Sequence, residues 1–343
     1  MADPARGHRF YLQLGKEAAA TYGTVVAATG VRLWGYNFKA KPNLGVDEEE
    51  SLYGGLSIRE VHQLGRFWEW EFEMDLSYLG QLKLWNMIMG DDTAPATPAV
   101  TGPDANGIYT HTFKVGLTMP SFSAEVLEGG AGAVTTVSSF NGFQVEKFSI
   151  SGQAGVSSSG RLRAKISGIA RNRATGVTAA ALTLINPRPV LYRHASIVDD
   201  GSADAATDVL VRGWSLDIMS PIDRERFAFG NIALLSKPAR TKHFRAVMSF
   251  DQEFQTETQY TNFVNNADLS PEMEFTGPEL VGASGARTIK FTMNRSKILD
   301  LDVPVDRFGI LRKQIQHLGQ QNTADVSSLI VTVKTDQATI VLG

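Results

Sequence analysis

The stretch FWEWEFEMD, Phe67 to Asp75, decides how the chain is read. Trp68, Trp70, Phe72 and Met74 alternate with Glu69, Glu71, Glu73 and Asp75, the two-residue period of a β-strand with one apolar and one acidic face. The period then changes. Leu79, Leu82, Trp85, Ile88 and Met89 recur at three- and four-residue spacing and Gly90 follows, which predicts one amphipathic helix within Tyr78 to Met89. The same order returns later: RAVMSFDQEF, from Arg245, alternates and is followed by TETQYTNFVNNA, a second amphipathic segment from Thr256. Further strand candidates in the first half are Ile108 to Val115, Phe122 to Leu127, and a hairpin of Val145 to Ile150 with Leu162 to Ile169. In the second half they are VLVRGWSLDI from Val209, MEFTG, TIKFTMN, ILDLDVPV and SLIVTVKT. We read one plan used twice, as two β-rich domains of residues 1–186 and 187–343, each with a single helix flanking its strands.

Composition supports this and narrows the function. A chain of 343 residues can bury a sizeable core in each of two domains. Its 32 glycines, with many Thr, Val and Ser, suit short strands and tight turns better than a helical bundle. A net charge of -3 without a Lys/Arg run gives no footprint for gripping phosphates. The absence of cysteine removes disulfides, thiolate nucleophiles and zinc sites of the cysteine type. No apolar run reaches the 18 or more residues of a membrane-spanning helix, and Met1 to Arg9 is polar, unlike a secretory signal; we expect no membrane anchor and synthesis in the cytoplasm.

Motifs for chemistry are missing. The six histidines are scattered, with no pair at the helical spacing that offers two imidazoles to a metal, so neither metal nor cofactor is expected. Neither glycine-rich phosphate loop occurs, and GASGA at Gly282 to Ala286 has the wrong spacing for a hydrolase nucleophile elbow. The carboxylates Glu69, Glu71, Glu73 and Asp75 are the one group that could be imagined as a glycosidase pair, which would make the chain a carbohydrate-active β-sandwich. A solvated acidic strand face explains them more simply. Like charges so placed repel, and a surface that benefits from being negative, such as the lining of a DNA conduit, would give them a use.

The segment GKEAAATYGTVVAAT, carrying Gly15, Glu17, Tyr22, Gly23 and Thr24, resembles the opening of phage tail tube proteins, also called major tail proteins. EFEMDLSYLGQLKLWNMIMGD, NGIYTHTFKV, PSFSAEVLEG and NGFQVEKFSISGQAGVSSSGRLRAKISGIARN resemble that family's successive strand, helix and hairpin blocks. The resemblance implies β-sandwich units with a flanking helix, whose inner strands join those of neighbouring subunits into a closed β-barrel ring that stacks on identical rings in the virion tail. It implies no enzyme activity. Tube rings of single-domain subunits are typically hexameric, so a two-domain chain would form a homotrimeric, pseudo-hexameric ring. Four lumen strands per domain give a barrel roughly 45 to 50 Å across, with room for passing double-stranded DNA. The other expected partners are the tape-measure protein, the tail terminator and baseplate proteins.

Contacts between stacked rings are assigned to three segments: the loop 39–65, long for a passive connector and carrying Asp47, Glu48, Glu49, Glu50, Leu52 and Tyr53; the N-terminal arm Met1 to Lys16; and Gln337 to Gly343. A baseplate hub, a tail terminator or a capsid-decorating protein is the alternative within virion proteins.

Overall fold

The computed structural model describes residues 11–18, 22–26, 33, 35–48, 61–93, 96–129, 135–153, 160–178, 188–198, 211–228, 231–253, 257–279, 285–302, 312–324 and 326–338. In chain order the first half holds β1 (Tyr11–Lys16), β2 (Gly35–Glu48), β3 (Val61–Asp75), α1 (Leu82–Met89), β4 (Asp92–Thr93), β5 (Ala96–Thr97), β6 (Ala99–Thr101), β7 (Tyr109–Lys114), β8 (Phe122–Gly129), β9 (Thr135–Gln153), β10 (Arg163–Ala170) and β11 (Asn172–Thr175). The second half holds β12 (Ala195–Val198), β13 (Val211–Met219), β14 (Phe227–Ala228), β15 (Asn231–Leu235), β16 (Arg245–Glu253), α2 (Thr258–Val264), β17 (Glu272–Glu279), β18 (Ala286–Thr292), β19 (Ser296–Asp302), β20 (Arg312–Gly319) and β21 (Ile330–Thr335).

Eight of these strands follow one another as a single antiparallel run, β2-β3-β10-β9-β13-β16-β20-β19. Four come from each half, and the β9–β13 pairing joins them. The order is the same in both fours. A further four, β1-β8-β9-β11, has its counterpart in β12-β17-β18-β21, the long β9 serving both groups of the first half. Even the irregularities match: the unpaired extra residue is Tyr36 on β2 and Arg212 on β13, Glu146 on β9 and Leu299 on β19. What differs is insertion, β4 to β7 after α1 in the first half and β14 and β15 after β13 in the second.

Alternation builds the core. On β3, Trp70, Phe72 and Met74 are buried, as are Phe148 and Ile150 on β9, Leu216 and Ile218 on β13, and Met248 and Phe250 on β16. Met273, Phe275, Ile289 and Phe291 of the second sheet close over them in one continuous cluster. α1 lies inside this cluster, with Trp85 edge-on to Phe148 at 5.2 Å and to Phe291 at 5.5 Å. Gly90 ends the helix at φ 97, where a Cβ would meet the Thr118 carbonyl oxygen at 2.9 Å. The halves are also sewn together by β7, which pairs with β21 in the second sheet, and by Arg240, which donates to the Gly116 carbonyl at 2.6 Å.

Several expectations are corrected. α1 is not a flanking amphipathic helix: Leu84, Asn86 and Met87 are buried along with Leu82, Trp85, Ile88 and Met89, so apolar residues on every side belong to an interior helix. α2, in contrast, buries only Gln259. The span 39–65 is not a long loop, because β2 continues to Glu48 and β3 begins at Val61; Pro42 fits there because, among the described residues, β2 pairs only with β3. Tyr11–Lys16 is not a free arm but a buried strand on β8. Among the described residues the eight-strand run of one chain does not close on itself; it ends at β2 and β19.

Candidate assembly interface

The solvent-facing side of the eight-strand run carries the carboxylates that the sequence singled out. Glu69, Glu71, Glu73 and Asp75 do share one face of β3, but the adjoining strands set cations among them. Lys39 and Lys41 of β2 stand opposite Glu71 and Glu69; Arg163 and Lys165 of β10 stand opposite Asp75 and Glu73. Lys165 Nζ is 3.0 Å from Glu71 and 3.9 Å from Glu73, and its hydrogen bond to Glu71 raises its pKa. Arg161 reaches Asp75 at 3.0 Å, and Arg224 reaches Glu69 at 2.7 Å and also pairs with Glu146. The face is a lattice of alternating charge rather than an acidic stripe. A broad depression on it lies over the β9–β13 junction, lined by Ser151, Arg161, Arg163, Asp217, Asp251 and Gln316 among others.

The extra residues of β2 and β13 make matching contacts. Tyr36 donates its hydroxyl to Asp75, which raises the phenol pKa, and Arg212 pairs with Glu253 at 2.5 Å. Each ties the start of its strand to the end of the neighbour.

At the junction, β9 and β13 run antiparallel from Gly213 opposite Gln153 to Met219 opposite Lys147. Trp214, Leu216 and Ile218 bury their side chains, while Ser149 Oγ donates to Asp217 Oδ1 at 2.5 Å on the solvent face. The two ends of the run have no such neighbour among the described residues: β2 pairs only with β3, and beyond β20 the backbone of β19 is bonded at Ser296, by Leu269, while its Lys297 side chain reaches Asn266 and Asp268. Beside β19, α2 leaves Tyr260 and Val264 more than half exposed, at 56% and 62%. N–H and C=O groups left unpaired among the described residues along two edges, with apolar side chains beside one of them, are groups on which another strand can pair.

The motif at the start of the chain is a clasp. The buried Glu17 carboxylate accepts from the Gly23 and Gly142 amides, both at 2.8 Å, and from Ser123 Oγ at 3.1 Å. Tyr22 lies under the Arg171 guanidinium, whose Nη1 donates to the Tyr22 carbonyl at 2.9 Å. Glu17, Tyr22 and Gly23 therefore anchor the first strand's exit to β9 at Gly142, which has φ 62 and lies where the β8–β9 register shifts.

With this geometry in hand, comparison with known families is decisive: the model of the phage tail tube protein matches residues 7–299. The chain belongs to the phage tail tube protein family. It is thus a structural subunit of a tail tube, a component of the virion tail. A comparison with curated proteins finds no match. In this tail tube protein, no group of three or more His, Asp or Glu residues among the described ones is placed to hold a metal, and no described helix is long and apolar enough to cross a membrane.

Of the other residues singled out, Asp47 and Glu48 end β2 opposite His62 and Val61, while Glu49, Glu50, Leu52 and Tyr53 lie outside the described residues, as do residues 1–10 and 339–343. Sequence reasoning missed the edges themselves. Tyr36 and Arg212, each just before an alternating run, were the available signal.

Proposed function

We propose that the chain consists of two tube-like units, residues 1–186 and 187–343, and that three copies close into a ring whose stacked repeats form the hollow tube through which viral DNA leaves. One observation carries this reading: the four-strand order β2-β3-β10-β9 recurs as β13-β16-β20-β19, joined edge to edge, with one edge of each kind left over. Repeating the same join between copies consumes both leftover edges, and three chains of eight strands give 24. At a spacing of about 4.8 Å and a tilt of about 40°, such a barrel is roughly 45 to 50 Å across. The solvent face of the run becomes the lining. Its interleaved charges suit a wall along which DNA slides, since carboxylates set among the cations weaken their attraction for phosphates. Stacking contacts are assigned to residues 49–60, 1–10 and 339–343, and the tape-measure protein, terminator and baseplate to the bore and the two tube ends.

Negative-stain microscopy of the purified protein tests this. Rings with three-fold symmetry that grow into long hollow tubes are expected. Particles that remain single chains at every concentration would overturn the ring, and rings that never stack would reassign the chain to a terminator.

A further inference from the structure

We infer that copies of this chain join by antiparallel pairing of β19 with β2 of the next copy, in a register that sets Asp302 directly opposite Lys41. The inference rests on the ring reading and adds to it a residue-level seam.

The register follows from the matched irregularities. Asp217 is the fifth residue beyond the extra residue Arg212 on β13, and Lys41 is the fifth beyond Tyr36 on β2. Ser149 is the third beyond Glu146 on β9, and Asp302 is the third beyond Leu299 on β19. Inside the chain Asp217 faces Ser149. The equivalent positions between copies are therefore Lys41 and Asp302. The far corner agrees as well: Phe143 of β9 is covered by Phe122, and the matching Ser296 of β19 is covered by Leu269, while Ile298 to Asp302 have no further strand beside them among the described residues.

The chemistry of the substituted pair supports an ionic seam. Where the inner junction has a hydroxyl donating to a carboxylate, the outer one has an ammonium facing a carboxylate, both exposed and neither in an ion pair among the described residues. Directly opposed residues on one face of an antiparallel pair lie about 4.5 to 5.5 Å apart at Cβ, so a Lys and an Asp meet without strain. The same register puts Pro42 opposite Leu301. Proline brings no N–H to the ladder, which leaves more of the register to be fixed by charge.

The absence of cysteine makes the test clean. Lys41→Cys with Asp302→Cys should, on mild oxidation of assembled protein, link chains head to tail. Lys41→Cys with Asp300→Cys, two residues out of register, should link about tenfold less. Ser149→Cys with Asp217→Cys, closing within one chain, calibrates the reaction. A charge test runs in parallel: Lys41→Asp should raise the concentration needed for half-maximal ring formation about tenfold, and adding Asp302→Lys should restore it. Far-UV circular dichroism of each variant confirms folded chains. Rings that cross-link through the offset pair, or through neither, overturn the register while the ring reading stands. Absence of rings in the unmodified protein overturns both.

Discussion

Where β9 meets β13, a buried row of Trp214, Leu216 and Ile218 continues without a break into the neighbouring half, and α1 is enclosed with Trp85 between two aromatic rings. At the outer ends the same strand order stops in solvent. Tyr36 and Leu44 on β2 and Leu299 on β19 are exposed, and α2 shows Tyr260, Phe263 and Val264 to water. The two regions share a strand order and differ in whether a further strand pairs with them among the described residues. In the ring proposed above, the exposed apolar groups at the outer edges mark the place of a neighbouring copy.

The contrast breaks hardest from the inside. Trp85→Ala empties the space between Phe148 and Phe291 and should cost about 3–5 kcal/mol of chain stability, read from the denaturation midpoint, because the surrounding sheets cannot collapse into the void. The mirror-image experiment replaces Tyr260, Phe263 and Val264 together with Ser. Single-chain stability should move by no more than about 0.5 kcal/mol, while ring formation needs about tenfold more protein, as a loss of about 1.4 kcal/mol per seam requires. A large loss of chain stability would show that α2 already has its partner.

The smallest effect concerns the other weld, β7 on β21. His111 is buried there and donates from Nε2 to the Gln337 carbonyl at 2.7 Å, and burial holds its pKa below the ordinary 6.5. Below that pH the unfolded chain binds a proton that the folded chain refuses. This contribution to stability is thus complete above pH 6.5 and is lost as the pH falls from there towards the folded pKa. His111→Gln should flatten that acid-side slope in thermal melts recorded from about pH 7 to pH 5.

Much of the plan was legible because it is local. Trp70, Phe72 and Met74 are buried opposite Glu69, Glu71 and Glu73, the hairpin of β9 and β10 forms where Val145 to Ile150 and Leu162 to Ile169 indicated, and both helices follow their alternating strands. β20 escaped notice because its inward positions are Lys313, Ile315 and His317; Lys313 is buried and donates to Gln259 Oε1 at 2.6 Å, so binary pattern fails there. The acidic face was misjudged for a different reason. Lys39, Lys41 and Lys165 are set opposite it by strands that no sequence window contains. The same non-locality hid the place of β7 in the second sheet: the strand is legible at Ile108 to Val115, but its partner β21 lies more than two hundred residues away.

In the ring proposed above, carrying two units on one polypeptide changes the arithmetic of closure. A six-unit circle made from separate pieces needs five encounters, each limited by the concentration of free pieces, before its sixth seam closes internally. With the β9–β13 contact supplied by chain connectivity, three of the six seams form within a chain, at an effective concentration on the order of millimolar, and only two encounters remain. Such a circle should nucleate at lower subunit levels and pass through fewer partly closed arcs with sticky ends.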